Sequence, residues 1–236
     1  MEISDRLKAI ADMVTSGSSL VDVGCDHGYL PIYLIKKGII PGAVASDVNK
    51  GPLEAALRNI KLYGISEDVI KTRLSDGLKN ISPGEGRSLV IAGMGGALTV
   101  RILDESFPVF ASFDEVILQP QSEIEKVREY ISKKGYKITR ENFLKEDGKY
   151  YAVMLINKTD IPVNYSEEEL LYGPCLIREK HPVLLEFLEE KKKKYTCIYN
   201  ELRQKNSPDD RLISRIEELG KEIELIKRVL NGNDQL

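Results

Sequence analysis

The residues best suited to chemistry lie in Val21-Asp22-Val23-Gly24-Cys25-Asp26-His27-Gly28, where an apolar run gives way to a helical one. Glycines at such a junction let a ligand approach the backbone, and the helix behind offers unpaired N–H groups. A dinucleotide fingerprint asks for glycine at positions 24, 26 and 29. The chain has Gly24, Asp26 and Tyr29, so two of the three fail. A carboxylate at position 26 would crowd and repel a pyrophosphate, whereas it stabilises a cation at short range. Asp47 closes Ala45-Ser46-Asp47, 19 residues beyond Gly28, where a strand-end carboxylate accepts both hydroxyls of a ribose. Asp76, in Ser75-Asp76-Gly77, can accept a hydrogen bond from an adenine amino group. Each of the three alone also reads as a loop or helix cap. Together, at the carboxyl ends of strands, they point to a cationic nucleoside that carries no phosphate. S-adenosylmethionine, with its ammonium and sulfonium, meets that description.

A second glycine cluster, Ile91-Ala92-Gly93-Met94-Gly95-Gly96, would leave open backbone beside the donor methyl; it equally reads as a tight strand-to-helix turn, and both can hold. The chain has neither the Asn-Pro-Pro-aromatic run frequent in enzymes that methylate amino groups of bases nor a Pro-Cys pair for attack at a ring carbon. Cys25 reads as packing rather than as a nucleophile. Transfer to a ring nitrogen or an oxygen is then the simplest chemistry, and a ring nitrogen with a free lone pair needs only alignment. His27 either touches cofactor or substrate or makes a structural bond within its loop. Gln119-Pro120-Gln121 reads as a turn after the fifth strand, with Gln119 able to read a base edge, or as a capped helix entrance. Arg6 is a candidate to hold the cofactor carboxylate from an N-terminal helix, or is simply exposed. His181, before Pro182, reads as a helix start. Lys191 to Lys194 spread around a helix as a solvated face or as phosphate contacts.

The elements that must position these groups alternate along the chain. Strands are expected at Leu20 to Val23, Gly42 to Ser46, Val69 to Leu74, Leu89 to Ala92 and Val116 to Leu118. Helical stretches follow through Lys37, from Pro52 to Tyr63, from Ala97 to Asp104 and from Ile124 to Lys134. Such alternation builds a parallel sheet with right-handed crossovers and helices on both faces. Tyr136 to Phe143 and Tyr150 to Ile156, joined by a short polar stretch with a glycine, read as a hairpin that makes one sheet edge antiparallel. Ser4 can cap a first helix whose Leu7, Ile10, Ala11 and Val14 share one face. The expected class is α/β, a Rossmann-like methyltransferase sheet over residues 1–158 followed by a C-terminal helical coiled-coil hairpin over 159–236. In that hairpin Leu184, Leu188, Tyr195, Ile198 and Leu202 form one stripe, broken by Lys191. Leu212, Ile216, Leu219, Ile223, Ile226 and Leu230 form the other, and Asn206-Ser207-Pro208-Asp209-Asp210 reads as the turn between them. The hairpin either buries its own stripe or offers a surface to RNA or to a second chain.

Composition narrows the function classes. With 42% apolar and 30% charged residues the chain suits a soluble globular protein, and no apolar run approaches the roughly 20 residues that span a bilayer. Glu2, Asp5, Arg6, Lys8 and Asp12 are incompatible with a signal-peptide core. Three widely spaced cysteines suggest neither a disulfide framework nor a zinc site, so no metal and a cytoplasmic location are expected. The net charge of −3 gives no global attraction to nucleic acid, so any RNA contact must use local patches.

Ser4-Asp5-Arg6-Leu7, the run from Asp22 to Pro31 and Ala92-Gly93-Met94-Gly95-Gly96 resemble the bacterial tRNA adenine-N1 methyltransferases that act on position 22, the TrmK family. Leu118-Gln119-Pro120-Gln121, Tyr172-Gly173-Pro174 and the helical hairpin fit as well, so the resemblance spans nearly the whole chain. It implies S-adenosylmethionine as donor, tRNA as partner and 1-methyladenosine in the D-arm region as product. Asp26, His27, Asp47, Asp76, Gly93 and Met94 would then line the site. The full set of expected cofactor contacts adds Arg6, Asp22, Gly24, Cys25, Gly28, Val48 and Gly77. Asp26, His27, Gly93 and Met94 stand nearest the chemistry, and a monomer is expected. On the same scaffold the alternative is a methyltransferase for a small molecule or a protein. A nicotinamide dehydrogenase conflicts with Asp26 and Tyr29, and a non-catalytic binding module would rely on the helical hairpin alone.

Overall fold

A computed structural model describes residues 1–204 and 210–232. The chain divides into two compact units, Met1–Tyr165 and Ser166–Leu236. The stretch after 158 stays with the first unit because its backbone is tied there. Thr159 N–H donates to the Gly135 carbonyl (2.9 Å), and the Tyr165 hydroxyl accepts from Ile138 N–H (2.8 Å).

The first unit is built on seven strands: β1 Leu20–Val23, β2 Ala43–Asp47, β3 Ile70–Leu74, β4 Ser88–Gly95, β5 Glu115–Ser122, β6 Tyr136–Glu146 and β7 Lys149–Lys158. Their order is β3-β2-β1-β4-β5-β7-β6. β1 to β5 run parallel, and β7 enters antiparallel between β5 and β6. All four residues of β1 are buried, as a strand covered on both faces requires. The β6–β7 turn is Asp147-Gly148, with φ 49° and 73°, between the paired residues Glu146 and Lys149. Two consecutive left-handed residues form the turn whose twist matches the strands it joins.

The helices that cover the sheet start with α1 (Asp5–Ala11), where the Ser4 hydroxyl accepts from Leu7 N–H (3.2 Å) and Ala9, Ile10 and Ala11 are buried. The Glu146 carboxylate accepts from Asp5 N–H (2.6 Å), which pins the start of this helix to the end of β6. Next come α2 (Tyr29–Lys36), α3 (Lys50–Leu62), α4 (Gly96–Glu105), α5 (Phe107–Phe110) and α6 (Ile124–Lys133). Arg128 of α6 and Glu141 of β6 form an ion pair (2.9 Å) with side chains 1% exposed.

β4 and β5 run further than expected. Gly93-Met94-Gly95 are strand residues, and Gln119-Pro120-Gln121 lie within β5 rather than in a turn after it. Pro120 is tolerated because register shifts at Met94 interrupt the ladder it faces.

In the second unit, α7 (Glu167–Tyr172) and α8 (Pro174–Arg178) precede α9 (Pro182–Arg203) and α10 (Asp210–Asn231). A capping box between Ser166 and Glu169 starts α7, and Pro174 starts α8. Both are too short to show periodicity in the sequence. α9 and α10 pack as the expected hairpin, with Leu184, Leu188, Leu219, Ile223 and Ile226 buried. Lys191 does not break the seam. Its ammonium lies 2.9 Å from a Glu222 carboxylate oxygen and over the Tyr172 and Tyr195 rings, at 5.5 and 5.1 Å. Lys192 pairs with Glu189 (3.1 Å), while Lys193 and Lys194 are exposed. Residues 206–209 of the expected turn lie outside the described residues. No helix among the described residues is long and apolar enough to cross a membrane.

Candidate functional site

The strand order reverses between β1 and β4, and the chain leaving each of them meets there at the carboxyl edge, where open α/β sheets place their ligands. Gly24 follows β1 with φ 76°, and a Cβ on it would come 2.4 Å from Met94 Cε. The two glycine clusters, some 70 residues apart in sequence, therefore touch.

Three amides of the first loop are already paired. Gly24 N–H and Cys25 N–H both donate to the Ser46 carbonyl (2.8 and 2.9 Å), and Gly28 N–H donates to the Cys25 carbonyl (2.8 Å). These groups are not offered to a phosphate. Asp26 holds φ 50° and Gly28, which opens α2, holds φ 71°. Gly28 also lies close to α3, since a Cβ there would meet Ala56 Cβ at 3.1 Å.

Around this loop one cleft is lined by Arg6, Asp22, Gly24, Cys25, Asp26, His27, Tyr29 and Ala92. Its electrostatics are dominated by carboxylates. Asp22 is 4% exposed, and burial followed by the charge of Asp47 pushes its carboxyl up to about 7. Among the described residues nothing donates a hydrogen bond to that carboxyl group. Cys25 is buried, and its thiol is pushed far up by burial first and then by Asp22, Asp47 and Asp26. It is packing, and the same influences show that three carboxylates converge on this point.

The expected residues fall into groups. Arg6, Asp22, Gly24, Cys25, Asp26 and His27 share the cleft. Asp47 ends β2 beside it and caps the next turn, accepting from Asn49 N–H (2.9 Å), and Val48 is exposed. Asp76 stands in a different setting. It pairs with Lys79 (2.6 Å) and Arg101 (3.7 Å), and the Lys79 hydrogen bond leads in holding its carboxyl low. Gly77 packs against Ile102, where a Cβ would meet side-chain carbons at 2.9 Å. His27 is exposed, stacks on Tyr29 (5.6 Å), lies 3.5 Å from Asp26 and accepts from Asn59 through its carbonyl. It thus makes the structural bond and also faces the cleft.

Gln119 is corrected from a base reader to a support. It is fully buried, and its Oε1 accepts from Arg6 Nη1 (2.9 Å). The same guanidinium lies 5.8 Å from the Tyr151 ring centroid of β7. Gly93, at φ 77°, opens toward this wall: a Cβ on it would lie 3.6 Å from both Arg6 Nη1 and Gln121 Nε2. Gly96 has a separate task, since a Cβ there would press within 2.5 Å of the Ser122 carbonyl. Tyr151 carries no sequence signal of its place in this wall, and Gln119, rather than Gln121, is the glutamine the sequence singles out. The only available signal for Gln121 was its spacing from Gln119, which puts both on one face of a strand.

A buried carboxyl without a cationic partner, among two further carboxylates, fits S-adenosylmethionine. It would seat the ligand's positive charge and repel a diphosphate.

Comparison with known proteins agrees with this site. The TrmK family model, described as tRNA (adenine(22)-N(1))-methyltransferase, matches residues 20–228. The tRNA (adenine(22)-N(1))-methyltransferase of Bacillus subtilis is 32% identical over 235 residues, covering 98% of each chain. A Streptococcus pneumoniae structure, described as a putative tRNA (m1A22) methyltransferase in complex with S-adenosyl-L-methionine, superposes with a TM-score of 0.85. It is 32% identical and covers 97% of this chain and 100% of that one. The Mycoplasma capricolum TrmK structure, in complex with S-adenosyl-homocysteine, gives a TM-score of 0.82 at 26% identity, over 98% of this chain and 99% of that one. With the family matched over most of its length and a relative matched end to end, the chain belongs to the TrmK family of tRNA (adenine(22)-N(1))-methyltransferases.

Proposed function

We propose that this protein transfers the methyl group of S-adenosylmethionine to N1 of adenine 22 in tRNA. The observation that carries the reading is the convergence of Asp22, Asp26 and Asp47 at the switch point, with Asp22 buried and lacking a cation. When bound, S-adenosylmethionine supplies an electrophilic methyl group on a positive sulfur. Asp22 and Asp26 neutralise positive charge in the cleft, and Asp47 accepts from ribose hydroxyls. Arg6, held by Gln119, provides donors for a carboxylate. Gly93 keeps the wall between Arg6 and Gln121 open, since any side chain there would enter the space between them.

Adenine N1 carries its own lone pair, so no residue has to remove a proton before transfer. What the protein must do is align that nitrogen and stabilise the cation that methylation creates on the ring. The carboxylates of the cleft, Asp26 first among them, serve the second need. Because N1 faces a pairing partner inside folded tRNA, the base has to be turned out, at a cost of a few kcal/mol. To Asp26, His27, Gly93 and Met94 we assign the surroundings of the transferred methyl. The first unit, Met1–Tyr165, carries the reaction, and the protein works as a monomer in the cytoplasm.

Incubation with labelled donor and tRNA transcripts, with adenine 22 intact or replaced, tests the reading; mass spectrometry of the nucleosides then identifies the product. Label confined to the intact transcript and recovered as 1-methyladenosine is expected. Equal labelling of both transcripts overturns the proposed target.

A further inference from the structure

Methylation at N1 restricts how adenine can be recognised. N1 lies on the Watson–Crick edge and must face the donor methyl, so that edge is not available for a firm protein contact. Discrimination from other bases falls to the N6 amino hydrogen on the far side and to N7. A carboxamide suits that pair: its oxygen accepts from N6–H and its N–H donates to N7. Guanine presents two acceptors there, O6 and N7, and would set its O6 against the carboxamide oxygen.

β5 carries two carboxamides near its carboxyl end, Gln119 and Gln121. Gln119 is spent, being fully buried with its oxygen bonded to Arg6. Gln121 lies two residues further out on the same face, is exposed, and holds Nε2 3.6 Å from where a Cβ on Gly93 would stand. Among the described residues its side-chain amide has no hydrogen-bond partner. It sits beside Met94 and Gly95, because Pro120 pairs with Met94 and Ser122 with Gly95. A base lying over the glycine opening with N1 toward the cofactor cleft presents its N6–N7 edge outward, toward the strand end where Gln121 waits.

We propose that Gln121 is a specificity-determining residue that holds the target adenine through N6 and N7, leaving N1 free for methyl transfer. The proposal rests on adenine N1 being the acceptor. Its test uses tRNA transcripts carrying adenine or 7-deazaadenine at position 22, the full chain, and the variants Gln121→Ala and Gln121→Glu. For the unaltered protein kcat/KM is expected to fall roughly tenfold on the 7-deaza transcript, as expected for losing one member of a bidentate pair. Gln121→Ala is expected to fall at least tenfold on adenine and to show no further loss with 7-deazaadenine. Gln121→Glu keeps the acceptor for N6–H and sets a second acceptor against N7, so it loses the 7-deaza penalty and is expected to use the 7-deaza transcript at least as well as the adenine one. Calorimetric affinity for S-adenosylmethionine is expected to be unchanged in both variants, which separates recognition from folding. An unaltered protein that ignores the loss of N7, or a Gln121→Ala variant that retains the full 7-deaza penalty, overturns the assignment. Absence of 1-methyladenosine from the native transcript with the unaltered protein overturns the underlying reaction instead.

Discussion

Replacing Asp22 by asparagine keeps the side chain's size and removes a proton-binding site from the centre of the cleft. Burial, and then Asp47, take the Asp22 carboxyl from 3.8 to about 7. That change corresponds to about 4 kcal/mol of disfavour for the ionised form in the folded chain. At low pH both folded and unfolded chains hold the proton, and the group has no effect on stability. As pH rises past 3.8 the unfolded chain ionises first, so stability declines with pH and levels off once pH has passed about 7. Asparagine replaces this slope with the constant cost of a buried amide lacking partners, about 1–3 kcal/mol. Asp22→Asn should therefore be more stable than the unaltered protein at pH 8 by about 1–3 kcal/mol and should lose that advantage near pH 4. Thermal melts without ligand across this range read the difference directly. The ligand arm runs the other way. A cation seated beside Asp22 favours the ionised carboxylate, so cofactor binding near pH 6–7 should release a proton, detectable by calorimetry in buffers of different ionisation enthalpy. Asp22→Asn should bind roughly tenfold more weakly, as loss of a charged contact implies, and release none. A variant that melts below the unaltered protein at pH 8 and keeps its cofactor affinity would show that Asp22 already has the partner this reasoning denies it.

Two further substitutions probe how the site and its scaffold are held. Gly24→Ala forces a Cβ onto a backbone at φ 76°, at a cost of about 1–2 kcal/mol, and brings it 2.4 Å from Met94 Cε. Weaker cofactor binding and a lower unfolding midpoint are expected, and adding Met94→Ala should relieve only the contact; full recovery in the double variant would locate the problem in the side chain. Arg128→Met takes the cation away from Glu141, whose side chain is 1% exposed, and should cost about 3–5 kcal/mol in urea unfolding, with most of that recovered on adding Glu141→Leu. A single-variant loss below about 1 kcal/mol would mean that Glu141 finds another partner or takes up a proton cheaply.

The sheet was legible because its strands are either wholly buried or strictly punctuated. Leu20 to Val23, Ile70 to Leu74 and the Asp147-Gly148 hairpin each carry a local signal strong enough to survive without tertiary context. The carboxyl ends of β4 and β5 carry no such signal. Gly93, Gly95 and Pro120 all argue against strand, and only the pairing of β4 with β5, irregular at Met94, keeps them in it. Helices of four to six residues, such as α5 and α7, rest on caps and packing rather than on a repeating apolar face. Lys191 looked like an interruption because a stripe drawn on one helix cannot show that Glu222 and two tyrosine rings receive it.

The site divides along the same line. Asp26 and Asp47 could be read from the strand-to-loop rhythm, since each follows its own strand. Asp22 entered only through the family resemblance, because what distinguishes it physically is burial beside Asp47 without a cation, and both are properties of the fold. Asp76 belonged to the same sequence pattern, yet Lys79 and Arg101 already neutralise it, so its carboxylate draws a ligand's positive charge far less than Asp22 does. Gln119 and Gln121 are chemically alike and differ only in distance from the strand end: one lies under Arg6, the other reaches solvent beside Gly93. A polar side chain in this fold draws a ligand most strongly where the protein leaves it unpaired. By that criterion Asp22 and Gln121, one without a cation and the other without a hydrogen-bond partner among the described residues, are the side chains we propose for the two sides of the reaction, donor and acceptor.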